Sequence, residues 1–148
     1  MKQITVAEQI KSFFDEYENS FNRSLQGETT DLKAAAGWFT ECFMESSPLG
    51  VICGKNDKDF EKKMEEGYAF YKSIGTTGMY ITNRQMQVLD DFHTMCKVSW
   101  KYKAEKEGKQ VEIDFMVIYL LQTMNDTVKI FAYITGDEQK ALKDKGLL

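Results

Sequence analysis

The stretch KQVEIDFMVIYLLQTM, residues 109–124, constrains the fold of this chain more than any other part of it. Its odd positions are apolar from Val111 to Leu121, and its even positions are apolar in the middle, from Met116 to Leu120. A strand with one face in water alternates between apolar and polar residues. Both faces of this strand are therefore expected to be covered. The chain's own helices can cover one face, and a second copy of the chain is the simplest cover for the other.

The second half of the chain reads as strands throughout. Three further runs, at about 78–89, 92–105 and 127–135, flank the opening strand. The breaks between runs are polar or glycine-containing pairs suited to tight turns: Asp90-Asp91, Glu107-Gly108 and Asn125-Asp126. Connections this short predict antiparallel neighbours.

The first half of the chain reads mainly as helices. Thr5 and Glu8 form a capping-box pattern, and an apolar stripe then predicts a helix to about Ser24. A shorter helix is predicted from Asp31 to about Thr40, and a third from Asn56 or Asp57 to Gly75. The buried side of the third helix is predicted to carry Phe60, Met64, Tyr68, Tyr71 and Ile74. Residues 42–53 contain Pro48 and Gly50 and predict an extended hairpin-like stretch, and residues 137–145 predict a short closing helix. Helices followed by a curled antiparallel sheet predict an α+β fold.

Composition limits the classes of function. A length of 148 residues predicts one domain over residues 1–148, and a net charge of −4 without a basic patch argues against nucleic-acid binding. No secretion signal or membrane-length apolar run is visible, and the three cysteines, with no Cys-x-x-Cys pair, predict buried free thiols in a reducing cytoplasm. No metal-site or phosphate-cradle pattern is present, so we expect neither a metal nor a cofactor.

The order of elements resembles the nuclear transport factor 2-like superfamily, which includes ketosteroid isomerase, scytalone dehydratase and SnoaL-like cyclases. The resemblance spans about Thr5 to Thr135. It rests on the capped helix with Tyr17, the turn at residues 47–50, the third helix, and the ending at residues 128–133. It implies three N-terminal helices packed in the concave face of a curved, mostly antiparallel sheet, a cystatin-like cone whose open mouth admits small molecules.

The resemblance also places two functional positions. In ketosteroid isomerase-like members a helix-one tyrosine stabilises the oxyanion, and Tyr17 matches it. The proton-shuttling aspartate of those members falls at Ser47 here, which cannot act as a base at neutral pH. Their second acid falls near Tyr119 or Leu120. The oxyanion donor is therefore present while the usual base is missing.

Strand parity predicts a tyrosine-lined pocket on one side of the sheet. Tyrosine hydroxyls in a core each need a hydrogen-bond partner, so their abundance favours a pocket over a plain core. The predicted pocket residues are Tyr17, Ser47, Cys96, Trp100, Tyr102, Phe115, Tyr119, Phe131 and Tyr133.

Two further residues are weighed for catalysis. Glu45 shares the side of Ser47 and is the first candidate for a catalytic carboxylate, although a solvent-facing position at the mouth is the plainer interpretation. His93 alternates with Met95 and Lys97, away from the aromatic side, so a surface or interface position is expected for it.

The other side of the sheet predicts a homodimer. Its exposed apolar residues would need a partner, and a two-fold interface satisfies that need. They are Met116, Ile118, Leu120, Ile130, Ala132 and Ile134. Light scattering that detects only monomer would contradict this expectation.

Three functions remain open from the sequence. The first is a small-molecule-binding protein that holds an apolar or aromatic ligand. The second is a SnoaL-like lyase or isomerase, with Tyr17 as oxyanion donor and Glu45 as proton shuttle. The third is a protein-interaction module whose cavity is filled by side chains.

Overall fold

The computed structural model describes residues 4–148 and has an α+β architecture. The helices are α1 (Val6–Leu25), α2 (Leu32–Ala36), α3 (Lys58–Ser73) and α4 (Glu138–Asp144). The strands are β1 (Phe39–Ser47), β2 (Gly50–Lys55), β3 (Thr76–Val88), β4 (His93–Lys106), β5 (Lys109–Met124) and β6 (Thr127–Ile134). No helix within these residues is long and apolar enough to cross a membrane.

The six strands form one curved sheet in the order β2-β1-β6-β5-β4-β3. Neighbouring strands are antiparallel except β1 and β6, which are parallel. The predicted fold class and the four consecutive strands of the second half are therefore confirmed. The predicted extended stretch at 42–53 is the hairpin of β1 and β2.

The helical layer differs in detail from the three N-terminal helices that were predicted. Only α1 is a long N-terminal helix, and its Thr5–Glu8 capping box is present. The predicted second helix was too long, because α2 ends at Ala36 and β1 begins at Phe39. α3 begins after the first hairpin, where the Asp57 side chain caps it.

The inner face of the sheet carries the main core, against which α1 packs through Ile10 and Phe14. A second, smaller cluster joins Tyr102 and Ala104 of β4 to Leu142 and Leu147 at the C-terminal end. α3 differs from α1 because none of its residues is fully buried. The space beneath α3 is therefore only partly filled by side chains.

A β-bulge in β6 reverses its side-chain parity. Leu120 pairs with Ala132, whereas the next residue, Leu121, pairs with Ile130, so Phe131 is an extra residue in the ladder. Ile130 consequently points into the core and is fully buried. Its predicted place on the outer face is wrong, because that prediction assumed one unbroken alternation.

The outer face of the sheet keeps the other apolar residues assigned to it. Met116 and Ile134 are exposed there, whereas Ala132 is buried even in the single chain. Ile118 pairs with Ile134 and Leu120 with Ala132, so these four residues form one continuous patch. A homodimer through this patch stays a prediction.

The three cysteines do not share one environment. Cys96 is fully buried in the core, as predicted, but Cys42 and Cys53 are exposed. The prediction of buried thiols is wrong for these two, which lie on the hairpin at one edge of the sheet, on the face opposite the buried Phe43.

Candidate functional site

A cavity of about 550 Å³ lies between the inner face of the sheet, α1 and α3, and the start of α4. Its walls are mainly aromatic, and both tryptophans and six of the seven tyrosines of the chain line it. The lining tyrosines are Tyr17, Tyr68, Tyr71, Tyr102, Tyr119 and Tyr133. A space of this size is typical of small-molecule sites.

Tyr17 stands at the centre of the aromatic wall. Its ring centroid lies 5.0 Å from that of Trp38, 6.1 Å from that of Trp100 and 6.2 Å from that of Tyr119. Tyr119 lies a further 6.4 Å from Tyr133 on the neighbouring strand. These separations fall within the range of favourable aromatic contacts, so the wall holds its shape through ring packing.

The phenols of the cavity stay neutral at physiological pH. Burial raises the pKa of Tyr17, and the neighbouring Tyr68 hydroxyl raises it further. Burial likewise raises the pKa of Tyr119 well above its usual value. Each hydroxyl can therefore donate or accept a hydrogen bond, but none can act as an anionic base near neutrality.

Glu45 lies at the cavity because β1 and β6 run parallel. The register pairs Glu45 with Tyr133, and both side chains point to the inner side of the sheet. The pKa of Tyr133 is raised by burial and then by the Glu45 carboxylate beside its hydroxyl. Glu45 is thus a lining residue, in contrast to the solvent-facing position that the sequence favoured.

A second carboxylate enters from the start of α4. Glu138 lines the cavity and accepts a hydrogen bond from the Tyr71 hydroxyl. The Glu138 charge adds to burial in raising the pKa of Tyr71 well above its usual value. The two glutamates bring negative charge to a space that is otherwise aromatic.

Trp100 carries an unsatisfied donor. Its side chain is 2% exposed, and within residues 4–148 its Nε1 finds no hydrogen-bond acceptor of suitable geometry. The Tyr119 hydroxyl is close enough for Trp100 to offset part of the rise in the Tyr119 pKa. Buried donors are normally paired, and the Tyr119 hydroxyl is the partner within reach of this N–H.

Most of the predicted pocket residues surround this cavity. Besides Tyr17 and Glu45, the structure brings together Trp100, Tyr102, Phe115, Tyr119 and Tyr133. His93 lies on the opposite side of the sheet, as expected, where its Nδ1 is 2.8 Å from an Asp90 carboxylate oxygen.

Three predicted pocket residues lie elsewhere. Ser47 ends β1, where its Oγ accepts a hydrogen bond from the Leu49 backbone N–H at 3.1 Å. Cys96 is enclosed in the core, and burial raises the pKa of its thiol to about 11. Phe131 packs against His93, with ring centroids 5.6 Å apart, because the β-bulge turns it to the outer side.

Other lining residues were not assigned to a pocket by the sequence. For α3 the spacing of apolar residues could have identified them. Its predicted buried side contains Phe60, Met64, Tyr68 and Tyr71, and all four line the cavity. Trp38 carried no such signal, since it lies in the connection between α2 and β1.

Comparison with protein families gives one match, to the family described as NTF2-like protein (DUF6841), over residues 7–138. No curated protein sequence shows significant similarity to the chain.

Solved structures share the fold at low sequence identity. An NTF-2 like protein of unknown function from Shewanella oneidensis is 18% identical, with a TM-score of 0.68 over 90% of this chain and 100% of that one. An NTF2-like protein with a cystatin-like fold from Novosphingobium aromaticivorans is 9% identical, with a TM-score of 0.69 over 96% and 88%. A ketosteroid isomerase-like protein from Erwinia carotovora atroseptica is 14% identical, with a TM-score of 0.58 over 86% and 92%.

Proposed function

Since the chain belongs to the NTF2-like protein family (DUF6841), we propose that it uses its inner cavity to bind a small, largely apolar or aromatic molecule. The observation that carries this proposal is the cavity of about 550 Å³ lined by both tryptophans and six tyrosines. Flat aromatic walls give apolar contact area, and neutral hydroxyl tips give a few directed hydrogen bonds. That combination suits ligand binding better than a filled core.

Gly67 of α3 offers a direct test of this proposal. It lines the cavity, and a Cβ added there would meet no atom within 4 Å. Gly67→Phe should place a ring in the cavity and weaken ligand binding by roughly a hundredfold, equivalent to about 2.7 kcal/mol. Gly67→Ala is the matched control, and it should keep binding while stabilising α3 by up to about 1 kcal/mol.

Binding can be followed without a label. Trp38 and Trp100 are the only tryptophans in the sequence, and both line the cavity, so their fluorescence reports on its contents. Small aromatic compounds would be screened by this signal, and molecules retained on purification would be identified by native mass spectrometry. Equal binding by wild type, Gly67→Ala and Gly67→Phe would contradict the proposed site, and so would a screen in which no compound binds.

The second candidate function is a lyase or isomerase of the SnoaL-like kind. It is favoured by one observation, that Tyr17 and Glu45 line the same cavity. Tyr17, protonated because its pKa is raised, would donate to a developing oxyanion, and the Glu45 carboxylate would move the proton. Once a substrate is found, Glu45→Gln should abolish turnover while Tyr17→Phe lowers it; full turnover in Glu45→Gln would exclude Glu45 as the base.

A further inference from the structure

The charge of the cavity lining is one-sided. Its residues include four carboxylates, and among the lining residues that the structure describes there is no lysine, arginine or histidine. The chain as a whole has 19 lysines and arginines against 23 aspartates and glutamates, so a mixed lining would be expected by composition. The four carboxylates are those of Glu45, Asp114, Asp137 and Glu138.

Two of these carboxylates already have a partner within the chain. Asp114 pairs with Lys101 Nζ at 3.2 Å, and its side chain is 79% exposed. Asp137 caps α4 by accepting a hydrogen bond from the Lys140 backbone N–H at 3.0 Å. Asp114 is thus neutralised by Lys101, and the Asp137 carboxylate is held at the N-terminus of α4.

Glu45 and Glu138 remain without a cation. In the described part of the chain, neither carboxylate forms a salt bridge. Glu45 pairs with Tyr133 in the β1–β6 ladder, and Glu138 accepts a hydrogen bond from Tyr71 in the same cavity. After burial, the charges of both glutamates raise the pKa of Tyr133. The two carboxylates therefore act on the same region of the cavity, around the Tyr133 hydroxyl.

The aromatic walls favour the same sign of ligand charge. The face of an aromatic ring is negative, so it attracts cations and repels anions. Tyr17, Trp38, Tyr119 and Tyr133 lie in a connected series of such rings. The ring faces and the two carboxylates thus favour a ligand of the same, positive charge.

We propose that the ligand carries a positively charged nitrogen, as an amine or a quaternary ammonium group. This inference rests on the proposed binding function and adds the chemical class of the ligand. The cationic head lies beside Tyr133, between Glu45 and Glu138, and the apolar body lies against the rings of Tyr17 and Trp100. A neutral ligand would displace water from both carboxylates without supplying a compensating charge.

Three compounds that share a phenylalkyl group and differ in the charge of the terminal group test the proposal. Phenylpropylamine, phenylpropanol and phenylpropanoate are cationic, neutral and anionic near pH 7. The fluorescence of Trp38 and Trp100 should show that the amine binds about tenfold or more tightly than the alcohol, and that the carboxylate binds most weakly. Alcohol binding as tight as amine binding would overturn the cation proposal and leave the binding function standing. Binding of none of the three would count against the binding function itself.

Single substitutions locate the cationic head. Glu45→Gln and Glu138→Gln should each lower the preference for the amine over the alcohol by roughly tenfold, with little change in affinity for the alcohol. Glu112→Gln is the matched control, because this carboxylate lies on the outer side of the sheet, 3.2 Å from Lys101 Nζ. An unchanged amine preference in both cavity variants would refute the placement of the head.

Discussion

Raising the pH above about 10 should unfold the protein cooperatively, because four phenols that line the cavity, one of them buried and three partly buried, resist ionisation while the chain is folded. Burial is the largest cause of the raised pKa in each of them: Tyr17, Tyr71, Tyr119 and Tyr133. In the unfolded chain the same phenols titrate with a pKa of about 10.

The sign of the effect follows from proton binding. Above about pH 10 the unfolded state binds fewer protons than the folded state, so the free energy of unfolding falls as the pH rises. Each phenol contributes at most about 1.4 kcal/mol per pH unit, so the four together contribute up to about 5 kcal/mol per unit. Because a domain of this size is stable by about 5–15 kcal/mol, unfolding should be complete within a few pH units above 10.

Two spectroscopic signals check this alkaline transition. Circular dichroism follows secondary structure, and ultraviolet absorbance follows phenolate formation. The two signals should change together for the buried phenols. Tyr119→Phe removes one of these phenols and should move the midpoint to higher pH. Phenolate formation by all of the tyrosines with the helices and strands intact would contradict the assigned burial.

Phe14→Ala should lower the free energy of unfolding by about 3–5 kcal/mol. Phe14 is fully buried on α1. Its ring lies 5.1 Å from Phe13, 6.3 Å from Tyr17 and 5.0 Å from Tyr119, measured between centroids. The alanine would leave a void where α1 meets the sheet, and the cavity wall would lose its support.

Phe92→Ala is the control for this change, because it deletes the same atoms from a side chain that is 54% exposed. It should change the free energy of unfolding by no more than about 0.5 kcal/mol. Guanidinium denaturation measures both variants, and similar losses in the two would contradict the assigned core. If Phe14→Ala does not fold, Phe14→Leu should still show a loss of about 1 kcal/mol.

The strongly periodic elements could be predicted from the sequence alone. Apolar residues recur every three or four positions in α1 and every two positions in β4 and β5. This spacing predicts which residues of each element face the core, and the structure agrees with it. β6 could not be predicted in the same way. A single extra residue, Phe131, reverses the alternation, and nothing in the local composition marks it.

The site was harder to predict than the fold for a related reason. Periodicity shows which side of a helix faces inward, but not whether the space on that side is filled. The stripe of α3 was correctly predicted to face inward, yet Met64 and Tyr68 border a cavity instead of a packed core. The position of Glu45 depends on the parallel pairing of β1 with β6, a contact between distant parts of the chain.

The position of α3 over the cavity couples ligand binding to the stability of this helix. A helix that buries an apolar face gains most of its stability from that contact, and α3 has no fully buried residue. A molecule beneath it would supply further neighbours for Phe60, Met64 and Tyr68, as Phe14 does for the opposite wall. The ligand would then act as a removable part of the hydrophobic core, and its affinity and the local stability of α3 would be two measures of one free energy.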